Sequence, residues 1–133
     1  MAETALSIAR NKAAARRIDA DFVVADALHL DRLGREFETV LDCGLFHTFD
    51  SDERRDYVAS LASVTGRGGY LYVLCFSDAG PGMSGPHPVS QEELRAAFKR
   101  TSGWSVASIS PDRIQTRFEA QGVPAWLAKI ERI

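Results

Sequence analysis

The sequence predicts an α/β fold, a mainly parallel sheet flanked by helices and closed by a C-terminal antiparallel hairpin. Three observations predict it. Short β-branched or apolar runs at 21–26, 37–43 and 70–76 alternate with segments of helical character, the order expected of βαβ crossovers. Two capping-box signatures, Asp50 with Glu53 and Ser90 with Glu93, mark where helices open. The run Tyr70-Leu71-Tyr72-Val73-Leu74-Cys75-Phe76 is apolar at nearly every position, as in a strand covered on both faces.

Taken in order, Ala2 to Arg17 is rich in Ala, Arg and Lys, with Leu6, Ala9, Ala13 and Arg17 on one helical face. Asp21-Phe22-Val23-Val24-Ala25-Asp26 reads as a short strand ending in an acid, and Leu28 to Gly34 as a connector. Phe37 to Cys43 is a second strand, turned by Gly44. The helix opened by Asp50 runs through Tyr57, Leu61 and Val64 to Gly66, and Gly68-Gly69 leads into the apolar strand. Residues 77 to 89 form a Gly- and Pro-rich loop, followed by a helix through Leu94, Ala97 and Phe98. Trp104 to Ile109, Gln115 to Phe118 and Val123 to Ile130 supply the late strands, which make the hairpin.

Composition narrows the function. With 133 residues and 45% apolar content the chain fits one domain with a real core. A net charge of −2 provides no basic field for nucleic acid or an anionic membrane. No apolar run approaches the ~20 residues of a bilayer span, and the N-terminus lacks the apolar stretch of a signal peptide. Two cysteines, Cys43 and Cys75, make no disulfide framework. A cytoplasmic protein with reduced thiols is the expectation.

In an open parallel sheet, ligands bind beyond the carboxyl ends of the strands. That rule gathers Asp26-Ala27, Cys43 to His47 and Ser77-Asp78 at one edge. A zinc set of Cys43, His47, Cys75 and His87 is set aside, because no Cys-x-x-Cys or His-x-x-x-His spacing preorganises it. The segment from Asp78 to Pro88 is long enough for a lid over a substrate, and equally reads as a plain surface connection.

Val24-Ala25-Asp26-Ala27-Leu28, Phe37 to Gly44 and Arg67-Gly68-Gly69-Tyr70-Leu71 resemble three successive blocks of the class I S-adenosylmethionine-dependent methyltransferases. Glu3 to Arg10 resembles that family's helix after its second strand. The resemblance covers nearly the whole chain. It implies a single methyltransferase-like domain over 1–133, the C-terminal two-thirds of an incomplete Rossmann-like fold. It also implies S-adenosylmethionine as cofactor and a small-molecule nucleophile as methyl acceptor; the charge balance and the absence of a long apolar run lead to no expected nucleic-acid or membrane partner.

The resemblance assigns roles by position. Asp26 matches the acid that accepts from the adenine amino group, Ala27 offers its backbone N–H to the ring, and Leu28 gives a flat apolar contact. The plain alternative for Asp26 is a solvated acid capping the next turn. Cys43 and Gly44 lie where the family's chain passes the cofactor's methionine end. By its chemistry alone, Cys43 otherwise reads as a small buried hydrophobe. Asp42 either binds the cofactor's ammonium or faces a neighbouring helix N-terminus. His47 is the one candidate for catalysis, as a general base or as a pocket-lining residue, with packing favoured because no partner acid stands near it in sequence. Phe46, Phe49, Trp104 and Trp126 read as core.

The family's first strand, glycine-rich turn and second strand have no counterpart here; Gly34 is the sole glycine before Gly44. In the family's sheet those two strands lie between the 21–26 and 37–43 strands, so their loss leaves a gap of about 10 Å. The expected outcomes are weakened cofactor binding and an exposed edge, met by repacking of the first strand onto the second, by pairing of two chains as a homodimer, or by a native protein that begins further upstream, with the first two favoured. A non-catalytic methyltransferase-like module acting through dimerisation or a partner chain is the rival reading.

Overall fold

The computed structural model describes residues 2–79, 88–117 and 120–133. It contains helices α1 (Ala2–Ala15), α2 (Ser51–Val64) and α3 (Gln91–Ala97), and strands β1 (Phe37–Cys43), β2 (Thr65–Phe76), β3 (Trp104–Ile114) and β4 (Val123–Arg132). The four strands form one sheet in the order β1-β2-β4-β3. β1 and β2 are parallel, whereas β4 runs antiparallel to both β2 and β3. The α/β class and the C-terminal hairpin match expectation, and the sheet is mixed rather than mainly parallel.

One reason is that the expected strand over 21–26 does not join the sheet. Residues 18–26 carry no strand pairing, and Val23 and Val24 are exposed. β propensity alone cannot hold a strand that finds no neighbour to complete its ladder. Nor has this segment moved across to pair with β1, whose outer edge pairs with no strand among the described residues. Leu41, on that edge strand, is 68% exposed. A second difference lies at the hairpin: β3 runs on through Ile114, Gln115 to Arg117 are not strand, and Phe118 lies outside the described residues.

Both helix starts follow their sequence signals. Asp50 Oδ1 accepts from the Glu53 amide at 2.9 Å while Glu53 Oε1 accepts from the Asp50 amide at 3.1 Å. Ser90 and Glu93 repeat the arrangement at 3.1 and 3.0 Å. α2 then buries Tyr57, Val58, Leu61 and Val64, spaced on one helical stripe. This stripe packs on Leu71, Val73 and Cys75 of β2 and on Ala128 and Ile130 of β4, with Leu94, Phe98 and Trp104 completing the core. Phe98 meets Trp104 edge-on at 5.7 Å, the geometry their ring quadrupoles prefer.

Among the described residues, only this face of the sheet is well covered. Buried and half-buried residues alternate along β2 from Gly69 to Phe76, with Tyr70, Tyr72, Leu74 and Phe76 on the open side. Among the described residues no helix is long and apolar enough to cross a membrane.

Candidate functional site

β1 and β2 end side by side, Cys43 opposite Leu74. The chain leaves β1 sharply at Gly44, whose φ of +85° is a left-handed conformation open to glycine at little cost. Its amide still donates to the Leu74 carbonyl at 2.9 Å. A Cβ on Gly44 would touch His47 Cε1 at 3.8 Å, ordinary van der Waals contact, so it is the left-handed φ and not crowding that calls for glycine here. Cys43 beside it is exposed, correcting its reading as a buried hydrophobe.

The turn after Gly44 is built by Asp42. This carboxylate is 4% exposed, and both oxygens are engaged. Oδ1 accepts from the Leu45 amide at 2.9 Å, and Oδ2 accepts from the Phe46 amide at 3.0 Å and the Tyr57 hydroxyl at 2.8 Å. Phe46 opens a short 3₁₀ turn, Phe46–Thr48, so Asp42 faces a helical N-terminus, the second of its two sequence readings. Its alternation places it on the covered side of β1, with Val40, and away from Cys43. Burial raises the Asp42 carboxyl above its ordinary 3.8, against the pull of those hydrogen bonds. Burial and the neighbouring Asp42 charge raise the Tyr57 hydroxyl in turn, so Tyr57 is a neutral donor here. Tyr57 was legible only as core; no spacing in the sequence ties it to Asp42.

His47, in the 3₁₀ turn, is 5% exposed. Its ring stacks on Phe76 at 4.1 Å and 6°, and Nδ1 accepts from the Phe76 amide at 3.0 Å. Ser77, the next residue, is buried and bridges to Val89. Cys75, on the core side of β2, has its thiol pushed up to about 12 by burial, with the Asp42 charge adding to it, which leaves it a protonated, inert group.

Asp26 is exposed and caps the 3₁₀ segment Ala27–Leu33, Oδ1 accepting from the Leu28 amide at 2.9 Å. That cap is one of its two expected roles, and it leaves Oδ2 available to a ligand donor. Ala27 and Leu28 are half-buried because the segment docks on α2: Ser60 Oγ donates to the Ala27 carbonyl at 2.7 Å and accepts from the Leu30 amide at 2.9 Å. The structure thus joins Cys43, Gly44, His47 and Ser77 at the ends of parallel neighbours. Asp26 stands on a separate element, held through α2. His87 and most of the Asp78–Pro88 segment lie outside the described residues, and among the described ones no cluster of metal-ligating side chains occurs. A groove of about 560 Å³ between α2 and α3, lined by Arg54, Val58, Ala97 and Lys99, went unread in the sequence.

Residues 1–69 match the family described as "Methyltransferase domain". A 2-heptyl-1-hydroxyquinolin-4(1H)-one methyltransferase of Mycobacteroides abscessus is 35% identical over 116 residues, 85% of this chain and 50% of that protein. The chain thus spans about half the length of this curated relative. A structure solved in work on the conversion of a disulfide bond into a thioacetal group during echinomycin biosynthesis superposes with a TM-score of 0.81 and 32% identity, over 97% of this chain and 62% of the other. Magnesium protoporphyrin IX methyltransferase from Synechocystis PCC 6803, solved with bound S-adenosylmethionine, shares the fold at a TM-score of 0.69 and 19% identity, over 96% of this chain and 54% of that one.

Proposed function

Because the chain belongs to the methyltransferase domain family, among the class I S-adenosylmethionine-dependent enzymes, we propose that it takes part in methyl transfer to a small-molecule nucleophile, as one methyltransferase-like domain over 1–133. The observation that carries this reading is the Gly44 turn: a left-handed residue at the end of β1, beside the end of its parallel neighbour β2, the edge where such sheets take ligands.

S-adenosylmethionine is the family's cofactor, and it supplies a sulfonium-bound methyl group already activated for in-line attack. The residues present fit one wall of it. Asp26 Oδ2 would accept from the adenine amine, Ala27 and Leu28 would line the ring, and Cys43 and Gly44 would pass the methionine end. Asp42 is assigned to building the turn and not to the ligand's ammonium, since its oxygens already serve three donors. Positioning is then the main contribution of these residues, with no proton transfer required to activate the methyl group.

Titration calorimetry with S-adenosylhomocysteine tests this. Binding at roughly 10–1,000 μM is expected for residues 1–133, which supply one wall of the site, and Asp26→Ala should weaken it about tenfold, the worth of one charge-assisted hydrogen bond. No heat at millimolar ligand, or an Asp26→Ala protein that binds as well as the parent, sinks the assignment.

We further propose a cytoplasmic setting, which keeps the exposed, unpaired Cys43 reduced, and a homodimer formed through the open β1 edge. An edge strand with Leu41 two-thirds exposed and no further strand paired to it among the described residues is a template for a second chain. Light scattering at tens of micromolar should return twice the chain mass, and Leu41→Lys should return the single mass. A parent protein that stays monomeric at that concentration overturns the dimer.

A further inference from the structure

Building on the site proposed above, we propose that His47 is a positioning residue that fastens the cofactor-side turn to the far end of β2, rather than a general base. The ladder between β1 and β2 shows why. In a parallel pair the rungs alternate, and after Gly44 N–H donates to Leu74 O the next rung would run from Phe76 N–H to a carbonyl of a continuing β1. No such carbonyl is available there, because the left-handed turn at Gly44 carries the backbone out of the sheet. The imidazole fills the vacant acceptor position: Nδ1 receives the Phe76 amide at 3.0 Å, and the ring lies flat on the Phe76 ring.

Two consequences follow from elementary chemistry. A neutral imidazole whose Nδ1 accepts carries its proton on Nε2, so the ring is a donor on that side and not arranged to take a proton from an acceptor molecule. And the bond ties together two chain segments that leave the sheet in different directions. On one side is the Gly44 turn. On the other, Phe76 O accepts from Val89 N–H at 2.9 Å, and Ser77 bridges to Val89, where the chain returns from the 80–87 segment. His47 therefore sets the spacing between the proposed cofactor wall and the connection beside it.

Asparagine and glutamine separate this role from others. In Asn, Oδ1 is as many bonds from Cβ as Nδ1 is in His; in Gln the oxygen sits one bond further out. Imidazole nitrogen spectra of the parent protein should show Nδ1 unprotonated and Nε2 protonated. By hydrogen exchange the Phe76 amide should remain protected in His47→Asn and exchange at least tenfold faster in His47→Gln and His47→Ala. Affinity for S-adenosylhomocysteine should follow the same order, within about threefold of the parent for Asn and about tenfold weaker for Gln and Ala. A proton on Nδ1, equal Phe76 protection in all four proteins, or an Asn variant as impaired as Ala overturns the proposal. Should no protein in the series bind the cofactor product, the methyltransferase assignment fails, while the nitrogen spectra and the exchange order still decide the role of His47.

Discussion

Asp42→Ala is expected to lower stability by about 3–5 kcal/mol, a large share of the roughly 5–15 kcal/mol that holds a domain of this kind together. The substitution strands the Leu45 amide, the Phe46 amide and the Tyr57 hydroxyl at once, two of them in bonds closed off from water. Each loses a charge-assisted acceptor, and the turn that seats Gly44 and His47 loses its anchor. Asp42→Asn keeps one oxygen and should lose less. Chemical denaturation of the three proteins checks the order; equal stability of parent and Ala would show that the turn holds itself without the carboxylate.

The parent and Asp42→Asn also differ in their dependence on pH. Burial raises the Asp42 carboxyl in the folded state, so the fold binds this proton more tightly than the unfolded chain does. Stability owed to the group is therefore greatest below 3.8, falls as pH climbs through the raised value, and is level above it. The advantage of the parent over Asp42→Asn should accordingly shrink as the pH rises from 3.8 through the raised value. An advantage that grows with pH would mean that the three hydrogen bonds outweigh desolvation.

Gly69→Ala is the second large effect. A Cβ there would lie 2.7 Å from the Glu38 carbonyl oxygen and 2.8 Å from that of Gly66. Both are backbone atoms, so no rotamer change relieves the contact, and β1 and β2 must part where their register already slips between Phe37 and Thr39. A loss of about 3 kcal/mol, on the order of 10 °C in Tm, is expected by thermal unfolding. Gly68→Ala is the control. Gly68 has a φ of +84° and nothing within 4 Å of its would-be Cβ, so it carries only the conformational cost of about 1–2 kcal/mol. If the two substitutions cost the same, close approach is not what position 69 requires.

Those contrasts also explain what the sequence disclosed. Signals that act within one or two turns of chain were readable: both capping boxes, the helical stripe of α2, the glycine that ends β1 and the hairpin order all stand where the residues put them. Residues 21–26 misled, since a β-branched run announces propensity and not the presence of a partner strand. The candidate site divides in the same way. Asp26, Cys43 and Gly44 were marked by their place after β-type runs, whereas the Asp42–Tyr57 bond and the His47–Phe76 clasp join residues 15 and 29 positions apart. Their pairing depends on the angle at which the chain leaves β1, which no local pattern encodes. The 3₁₀ segment's docking on Ser60 escaped notice for the same reason.

The distribution of connecting chain around the sheet has a consequence for how such a domain diversifies. At the edge where β1 and β2 end, and where β3 turns back into β4, the connections cover 44–50, 77–90 and 115–122. At the opposite edge α2 passes into β2 with no intervening residue, Val64 directly to Thr65, and Ile133 is tied to Gly103. Insertions and substitutions that reshape the first edge need not disturb the second. A domain built on this plan can vary three connections while the opposite rim stays fixed as a common chassis.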